Sequence, residues 1–203
     1  MDWSPEQERA LSSVARWLRD GAPQVFRLFG YAGTGKTTLA RHLAEGIDGV
    51  TIFGAFTGKA AHVMRQRGCV GASTIHSMIY RPRGEEEDGP TFGINRDGPA
   101  ASAALIVIDE CSMVDEDIGR DLLSFGKPVL VLGDPAQLPP VQGGGFFTNA
   151  EPDVMLTEVH RQAAGSPIIR LSMDVREGRE LARGAYGESR VIGRSEIDAT
   201  AIL

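Results

Sequence analysis

The 203 residues, 42% hydrophobic and 24% charged, are enough for one domain with a real core plus a smaller remainder. A formal net charge of −6 excludes a protein that coats nucleic acid by bulk positive charge, and two cysteines, Cys69 and Cys111, exclude a disulfide framework and fit a reducing, cytoplasmic setting. No apolar run approaches the roughly 20 residues of a membrane helix, and Met1-Asp2-Trp3-Ser4-Pro5 has neither the basic start nor the apolar stretch of a signal peptide.

Ser4-Pro5-Glu6-Gln7 opens a helix: Ser4 is placed to cap it, Pro5 suits its first position, and Gln7 can reach back to the cap. Leu11, Val14 and Leu18 carry the helical period to about Arg19, and Gly21-Ala22-Pro23 ends it. Residues 25–29 read as a strand, a glycine-rich loop follows, and a helix is expected over 36–45. A second strand is expected over 49–53, a helix over 58–67, and a short helix capped at Ser73-Thr74 and running to Tyr80. Residues 81–100, rich in Gly, Pro and charge, read as a loop or small inserted hairpin. Leu105-Ile106-Val107-Ile108 and Val129-Leu130-Val131-Leu132 are continuous apolar runs, as in strands buried on both faces of a parallel sheet. After Pro152 the chain is expected to be helical to about Glu177, and the tail from Gly178 has no clear period. The alternation predicts an α/β fold, an open parallel sheet with helices on both faces and ligands at the C-terminal ends of its strands.

Charge is unevenly spread. From Gly49 to Gly84 there is no Asp or Glu, while Lys59, Arg65, Arg67, Arg81 and Arg83 fall there with His62 and His76. Such a segment is either a solvated basic face or a local contact for an anionic polymer.

Gly30-Tyr31-Ala32-Gly33-Thr34-Gly35-Lys36-Thr37 fits the P-loop pattern G-x-x-x-x-G-K-[ST], between a predicted strand and a predicted helix. Backbone amides from Gly30, Ala32, Gly33, Thr34 and Gly35 through Thr38 can cradle phosphates, Lys36 can pair with the β and γ oxygens, and Thr37 can hold Mg²⁺. The run ending at Ile108 carries Asp109 to the same end of the sheet as a second magnesium ligand, with Glu110 beside it as a general base. Paired acids there favour hydrolysis over phosphoryl transfer to a metabolite, and without an Asn-Lys-x-Asp element ATP is the expected nucleotide. Gln137, in Gly133-Asp134-Pro135-Ala136-Gln137-Leu138-Pro139-Pro140-Val141, either senses the γ-phosphate or points to solvent from a proline-stiffened loop.

These segments, with Phe56-Thr57-Gly58-Lys59-Ala60-Ala61, Ser73-Thr74-Ile75-His76-Ser77-Met78 and Leu156-Thr157-Glu158-Val159-His160-Arg161-Gln162, stand in the order of superfamily 1 helicase motifs. The Thr-Ile-His-Ser and Gly-Asp-Pro-Ala-Gln-Leu-Pro-Pro-Val forms resemble the RecD/Dda branch, which moves 5′ to 3′ on single-stranded DNA, over about residues 4 to 170. The resemblance implies a RecA-like P-loop NTPase fold and an ATP- and magnesium-dependent DNA helicase motor. It implies that Gln7 reads adenine, that His160 lies beside the base and that Arg161 reaches the γ-phosphate. It further implies that Phe56, Thr57, Lys59 and His76 contact the DNA strand. Each has a plainer reading: Gln7 as a cap, Arg161 paired with Glu158, Phe56 as a core residue, His76 under a helix cap.

The later motifs of a two-domain motor have no match. The expected organisation is therefore a first motor domain over 1–155, with 81–100 as a reduced insertion, and a junction over 156–203 that begins an incomplete second RecA-like domain, leaving that domain or a partner to complete the cleft. Two other readings stay open: a stand-alone P-loop ATPase or small kinase, and a binding module that nucleotide merely switches.

Overall fold

The computed structural model describes residues 2–86, 89–135, 137, 145–158 and 166–196, and the chain divides into two compact units, Met1–Glu158 and Val159–Leu203.

The first unit begins with α1 (Pro5–Asp20), which carries the expected capping box: Ser4 accepts from the Gln7 amide and the Gln7 side chain accepts from the Ser4 amide. The chain continues through β1 (Val25–Gly30), α2 (Lys36–Glu45), β2 (Thr51–Ala55) and α3 (Gly58–Gln66). A two-residue strand β3 (Ser73–Thr74) runs straight into α4 (Ile75–Ile79), with Thr74 as its cap. Next come β4 (Tyr80–Glu86), β5 (Gly89–Ile94), α5 (Pro99–Ser102), β6 (Leu105–Asp109), a 3₁₀ turn at Cys111–Met113, α6 (Glu116–Leu123), β7 (Val129–Gly133) and β8 (Val154–Leu156).

Six strands form one sheet in the order β3-β2-β6-β7-β1-β8, and every pair is parallel. Alternate strand residues face opposite ways. Phe26, Leu28, Leu105, Val107, Leu130 and Leu132 pack under Ala10, Val14 and Trp17 of α1 and under Leu39, Ala40, Ala61 and Met64 of α2 and α3. Val25, Phe29, Ile106, Ile108, Val129 and Val131 pack on the other face against Ile75, Met78 and Ile79 of α4, Ile118 and Leu122 of α6, and Phe147. Both faces are covered, which is why β6 and β7 read as unbroken apolar runs. Among the described residues no helix is long and apolar enough to cross a membrane.

The structure corrects four expectations. The second strand lies at Thr51–Ala55 rather than 49–53, because Gly49 has φ +112 and turns the chain into it. Residues after Pro152 are not continuously helical. Val154–Leu156 is an edge strand paired with β1, and the helix α7 covers only Pro167–Arg176. Three residues are too few to show a period, so sheet pairing decides their state. The second unit contains α7 and, in place of a patternless tail, the hairpin β9 (Gly184–Tyr186) and β10 (Ser189–Val191). Finally, α6 fills a stretch where the sequence reading places no element. Its signal is Asp115, which caps Ile118, with Ile118 and Leu122 buried one turn apart.

The hairpin of β4 and β5 pairs antiparallel as a separate two-stranded sheet. It is moored at its root, where the Tyr80 hydroxyl donates to Asp121 of α6 at 2.5 Å. Burial, reinforced by that carboxylate, pushes the Tyr80 phenol well above its usual range.

Packing against α6 generates a stability test. A Cβ at Gly119 would lie 2.2 Å from Cδ1 of Phe146. Alanine gains about 1 kcal/mol of helix propensity over glycine, but overpacking costs about 1–3 kcal/mol. Gly119→Ala should therefore lower the denaturation midpoint in urea; an unchanged or raised midpoint would contradict this packing.

Candidate nucleotide site and strand-binding edge

The phosphate loop joins the end of β1 to the start of α2. Gly33 and Gly35 have φ +83 and +86, the left-handed region that glycine enters without steric cost. Gly30 is required for a different reason: a Cβ there would lie 2.7 Å from Cβ and 2.8 Å from the carbonyl oxygen of Leu156 in β8. The loop is held by its own atoms. The Tyr31 amide donates to Leu156 O at 3.1 Å, the Thr34 amide and hydroxyl both donate to Tyr31 O, and the Lys36 ammonium donates to Gly30 O at 2.6 Å and Tyr31 O at 3.0 Å. Thr34 is buried, so its side chain and amide serve the loop's shape. The first-turn amides of a helix have no partner within the helix, and those of α2, through Thr38, line the exit of the loop.

Thr37 and Asp109 meet. The Thr37 hydroxyl donates to Asp109 Oδ2 at 2.7 Å, joining the start of α2 to the end of β6. This pair is a set of hard oxygen donors, the chemistry a magnesium ion takes when it is shared between protein and phosphate. Among the described residues no group of three or more His, Cys, Asp or Glu gathers as a self-sufficient metal centre. A site that relies on phosphate oxygens and water does not need one.

Glu110 follows with φ 54 and ψ 44, the one non-glycine residue with positive φ among those described. That conformation costs roughly 1–2 kcal/mol for an L-residue. Burial and the neighbouring Asp109 charge push its carboxyl above the ordinary carboxylate range, and the Arg67 guanidinium opposes them. The turn at Glu110 drops Cys111 and Ser112 into the interior, where Cys111 lies under Gly133. Ser112 donates its hydroxyl to Gln137 Oε1 at 3.3 Å, and the Gln137 amide donates to Asp134 O at 3.0 Å. Gln137 is exposed, beyond the same end of the sheet as the phosphate loop because β7 and β1 are parallel neighbours. Ser112 is a site residue the sequence reading does not single out; only the fold brings it under Gln137.

Gln7 is buried, and its amide works at both ends: Oε1 accepts from the Ser4 amide at 3.1 Å and Nε2 donates to Thr34 O of the phosphate loop at 3.0 Å. His160 and Arg161 lie outside the described residues, as do residues 138–144 of the loop that follows Gln137.

The residues expected to meet DNA collect at one edge. Phe56 and Thr57 follow β2, and His76 follows β3, its parallel neighbour. Thr57 caps α3 by accepting from the Ala60 amide at 3.1 Å, Lys59 is exposed on the first turn, and the exposed His76 ring lies 5.4 Å from that of Tyr80. Phe56 is half-buried and packs against the core on the α4 face. A cleft of about 200 Å³ is lined by Thr57, Lys59, Arg67, Asp109 and Glu110, so this edge and the acidic pair share one depression. A larger groove of about 720 Å³, lined by Leu11, Leu18, Leu43, Ala104 and Pro128, opens instead near the N-terminal ends of the strands and holds none of these groups.

A family model described as AAA domain matches residues 2–195. The ATP-dependent RecD2 DNA helicase of Deinococcus radiodurans is 35% identical over 167 residues, 77% of this chain and 22% of that protein. The ATP-dependent DNA helicase dda of Enterobacteria phage T4 is 32% identical over 193 residues, 88% of this chain and 43% of that protein. A crystal structure of Bacteroides Pif1 bound to ssDNA superposes with a TM-score of 0.63 at 25% identity, covering 89% of this chain and 47% of that one. The chain thus spans less than half the length of each of these relatives. With the six parallel strands, the phosphate loop and the Thr37–Asp109 pair in place, the chain belongs to the AAA domain family and, within it, resembles the motor domains of RecD/Dda- and Pif1-like superfamily 1 helicases.

Proposed function

We propose that residues 1–158 form the first motor unit of an ATP-dependent DNA helicase, hydrolysing ATP in step with single-stranded DNA binding and moving 5′ to 3′. The observation that carries this reading is the 2.7 Å bond between Thr37 and Asp109, with Glu110 next in the chain. It joins the start of α2, just past the phosphate loop, to the tip of β6. RecD2, dda and Pif1, the last of which is described bound to ssDNA and to ADP-AlF3, support the choice of nucleotide and polymer. A second RecA-like domain, in a longer chain or a partner, would close the other side of the cleft. Two buried free thiols fit work in the cytoplasm.

In this reading the loop amides and Lys36 bind and orient the triphosphate. Thr37 and Asp109 would hold magnesium, which when bound neutralises charge on the phosphate oxygens. Glu110 takes a proton from the attacking water, and Gln137, braced by Ser112, orients that water. Gln7, buried with both ends of its amide engaged, braces the loop, the plainer of its two readings. The helicase resemblance gives Arg161, a permanent cation, the charge developing on the γ-phosphate and gives His160 the base; both residues lie outside those described. Phe56, Thr57, Lys59 and His76 hold the strand through stacking and phosphate contacts. The cleft shared with Glu110 offers a short path from strand to hydrolysis.

The test is ATP turnover with and without a single-stranded oligonucleotide. Lys36→Ala should abolish nucleotide binding. Glu110→Gln should lower turnover by about a hundredfold or more while nucleotide affinity stays within about twofold. Phe56→Ala should remove the DNA effect and leave basal turnover. Turnover indifferent to DNA would leave a stand-alone ATPase, and unchanged turnover in Glu110→Gln would leave a nucleotide-switched binding module. Relief of backbone strain makes a separate prediction: Glu110→Asn should raise thermal stability by about 0.5–1 kcal/mol while turnover is lost, since Asn tolerates the left-handed region and sheds the repulsion from Asp109.

A further inference from the structure

Glu6 and Gln7 are consecutive in the first turn of α1, and their side chains reach two different parts of the phosphate loop's surroundings. Gln7 donates to Thr34 O. The Glu6 carboxylate accepts four contacts: from the Thr157 amide at 2.9 and 3.0 Å to its two oxygens, from the Thr157 hydroxyl at 2.9 Å and from the Glu158 amide at 2.9 Å. These donors follow directly on β8, whose Leu156 pairs with Gly30 and accepts from the Tyr31 amide. Tyr31 O in turn accepts from Thr34 and from the Lys36 ammonium. The contacts close into a ring through Glu6, Thr157, Leu156, Tyr31, Thr34 and Gln7.

The ring has a weak member that needs the clamp. β8 is a three-residue strand at the edge of the sheet, paired on one side through Val154, Met155 and Leu156. So short a strand has little hold of its own, and charge-assisted bonds to backbone amides are among the stronger ties available to it. Its other end is pinned separately, where Asp153 Oδ2 accepts from the Arg27 amide at 2.7 Å, at the end of the strand away from the loop. The carboxylate of Glu6 keeps its charge readily. Burial alone would raise its pKa, but the amides of Glu158 and Thr157, the Thr157 hydroxyl and the Arg9 charge together bring it below the ordinary value. A surface acid in a first turn needs only the helix dipole to explain it. This one ties residue 6 to residues 157 and 158.

We propose that Glu6 is a positioning residue of the nucleotide site: by fixing Thr157 and Glu158 it holds Leu156 against Tyr31, and so sets the mouth of the loop from which Lys36 presents its ammonium. This rests on the reading of the loop as a triphosphate site. The clamp acts on the phosphate end of the ligand, so its loss affects any ligand that carries the phosphates, whatever base is attached.

The experiment measures the affinity of the 203-residue chain for magnesium-ATP and for magnesium-tripolyphosphate, together with amide hydrogen exchange across residues 30–37. Glu6→Gln, which keeps size and one acceptor oxygen, should weaken both ligands by the same factor, about three- to tenfold, and speed exchange at Tyr31 and Thr34. Glu6→Ala should weaken both further. Asp153→Asn, at the other end of β8, should lower the melting temperature without changing either affinity. Combining Glu6→Gln with Gln7→Ala should cost less than the product of the single losses, because both act on one loop. The assignment is overturned if Glu6→Gln leaves loop exchange and tripolyphosphate affinity at wild-type values, or if Asp153→Asn weakens binding as much as Glu6→Gln does. If the wild-type chain binds neither ligand, the triphosphate reading falls and the role of Glu6 falls with it; wild-type binding with an indifferent Glu6 removes this assignment alone.

Discussion

A hydroxyl and a carboxylate 2.7 Å apart, Thr37 and Asp109, tie the phosphate loop's helix to the tip of β6. Each sits where its element forces it to sit. Thr37 is on the first turn of a helix that can begin only after the chain has passed two positive-φ glycines. Asp109 is the first residue past four fully buried strand positions, Leu105 to Ile108, and so the first able to bear a charge. The strand β7 lies between β6 and β1, so the bond spans the sheet's end rather than a single ladder. Removing either partner would leave the other polar group only partly satisfied at a half-buried site, which is costlier than never having made the bond.

The residue after Asp109 shows what the arrangement costs. The Glu110 backbone sits in a region that L-residues avoid. Two results follow from that turn. It stands Glu110 out of the sheet beside Asp109, and it sends Cys111 and Ser112 inward to lie against Gly133 and under Gln137. The strain and the two buried neighbours are thus one structural decision.

Length along the sheet separates the two proposed activities without isolating them. The groups proposed to meet nucleotide lie at the ends of β1, β6 and β7, and those proposed to meet the strand at the ends of β2 and β3. The helix α3 bridges the gap. Its cap Thr57 and first-turn Lys59 share a cleft with Glu110, and Arg67 at its far end acts on the Glu110 charge. The hairpin β4–β5 is moored through Tyr80 to Asp121 of α6, in the segment that follows Glu110.

Local chemistry in the sequence determined the phosphate loop, the capping box at Ser4 and Gln7, the two buried strands with Asp109 at the tip of one, and the alternation that makes the sheet parallel. Each of these is a short-range pattern whose spacing reflects a physical requirement, so no distant contact is needed to read it. Short elements were different: β8, β9 and β10 have three residues each, too few to carry a period, and pairing with a neighbour decides their state. Two structural roles of side chains were also beyond local reading. Nothing near Glu6 in the chain marks it as a clamp for residues 157 and 158, and nothing near Ser112 marks it as the support of Gln137. Those contacts cross 151 and 25 residues of chain, and only folding brings such partners within hydrogen-bonding distance.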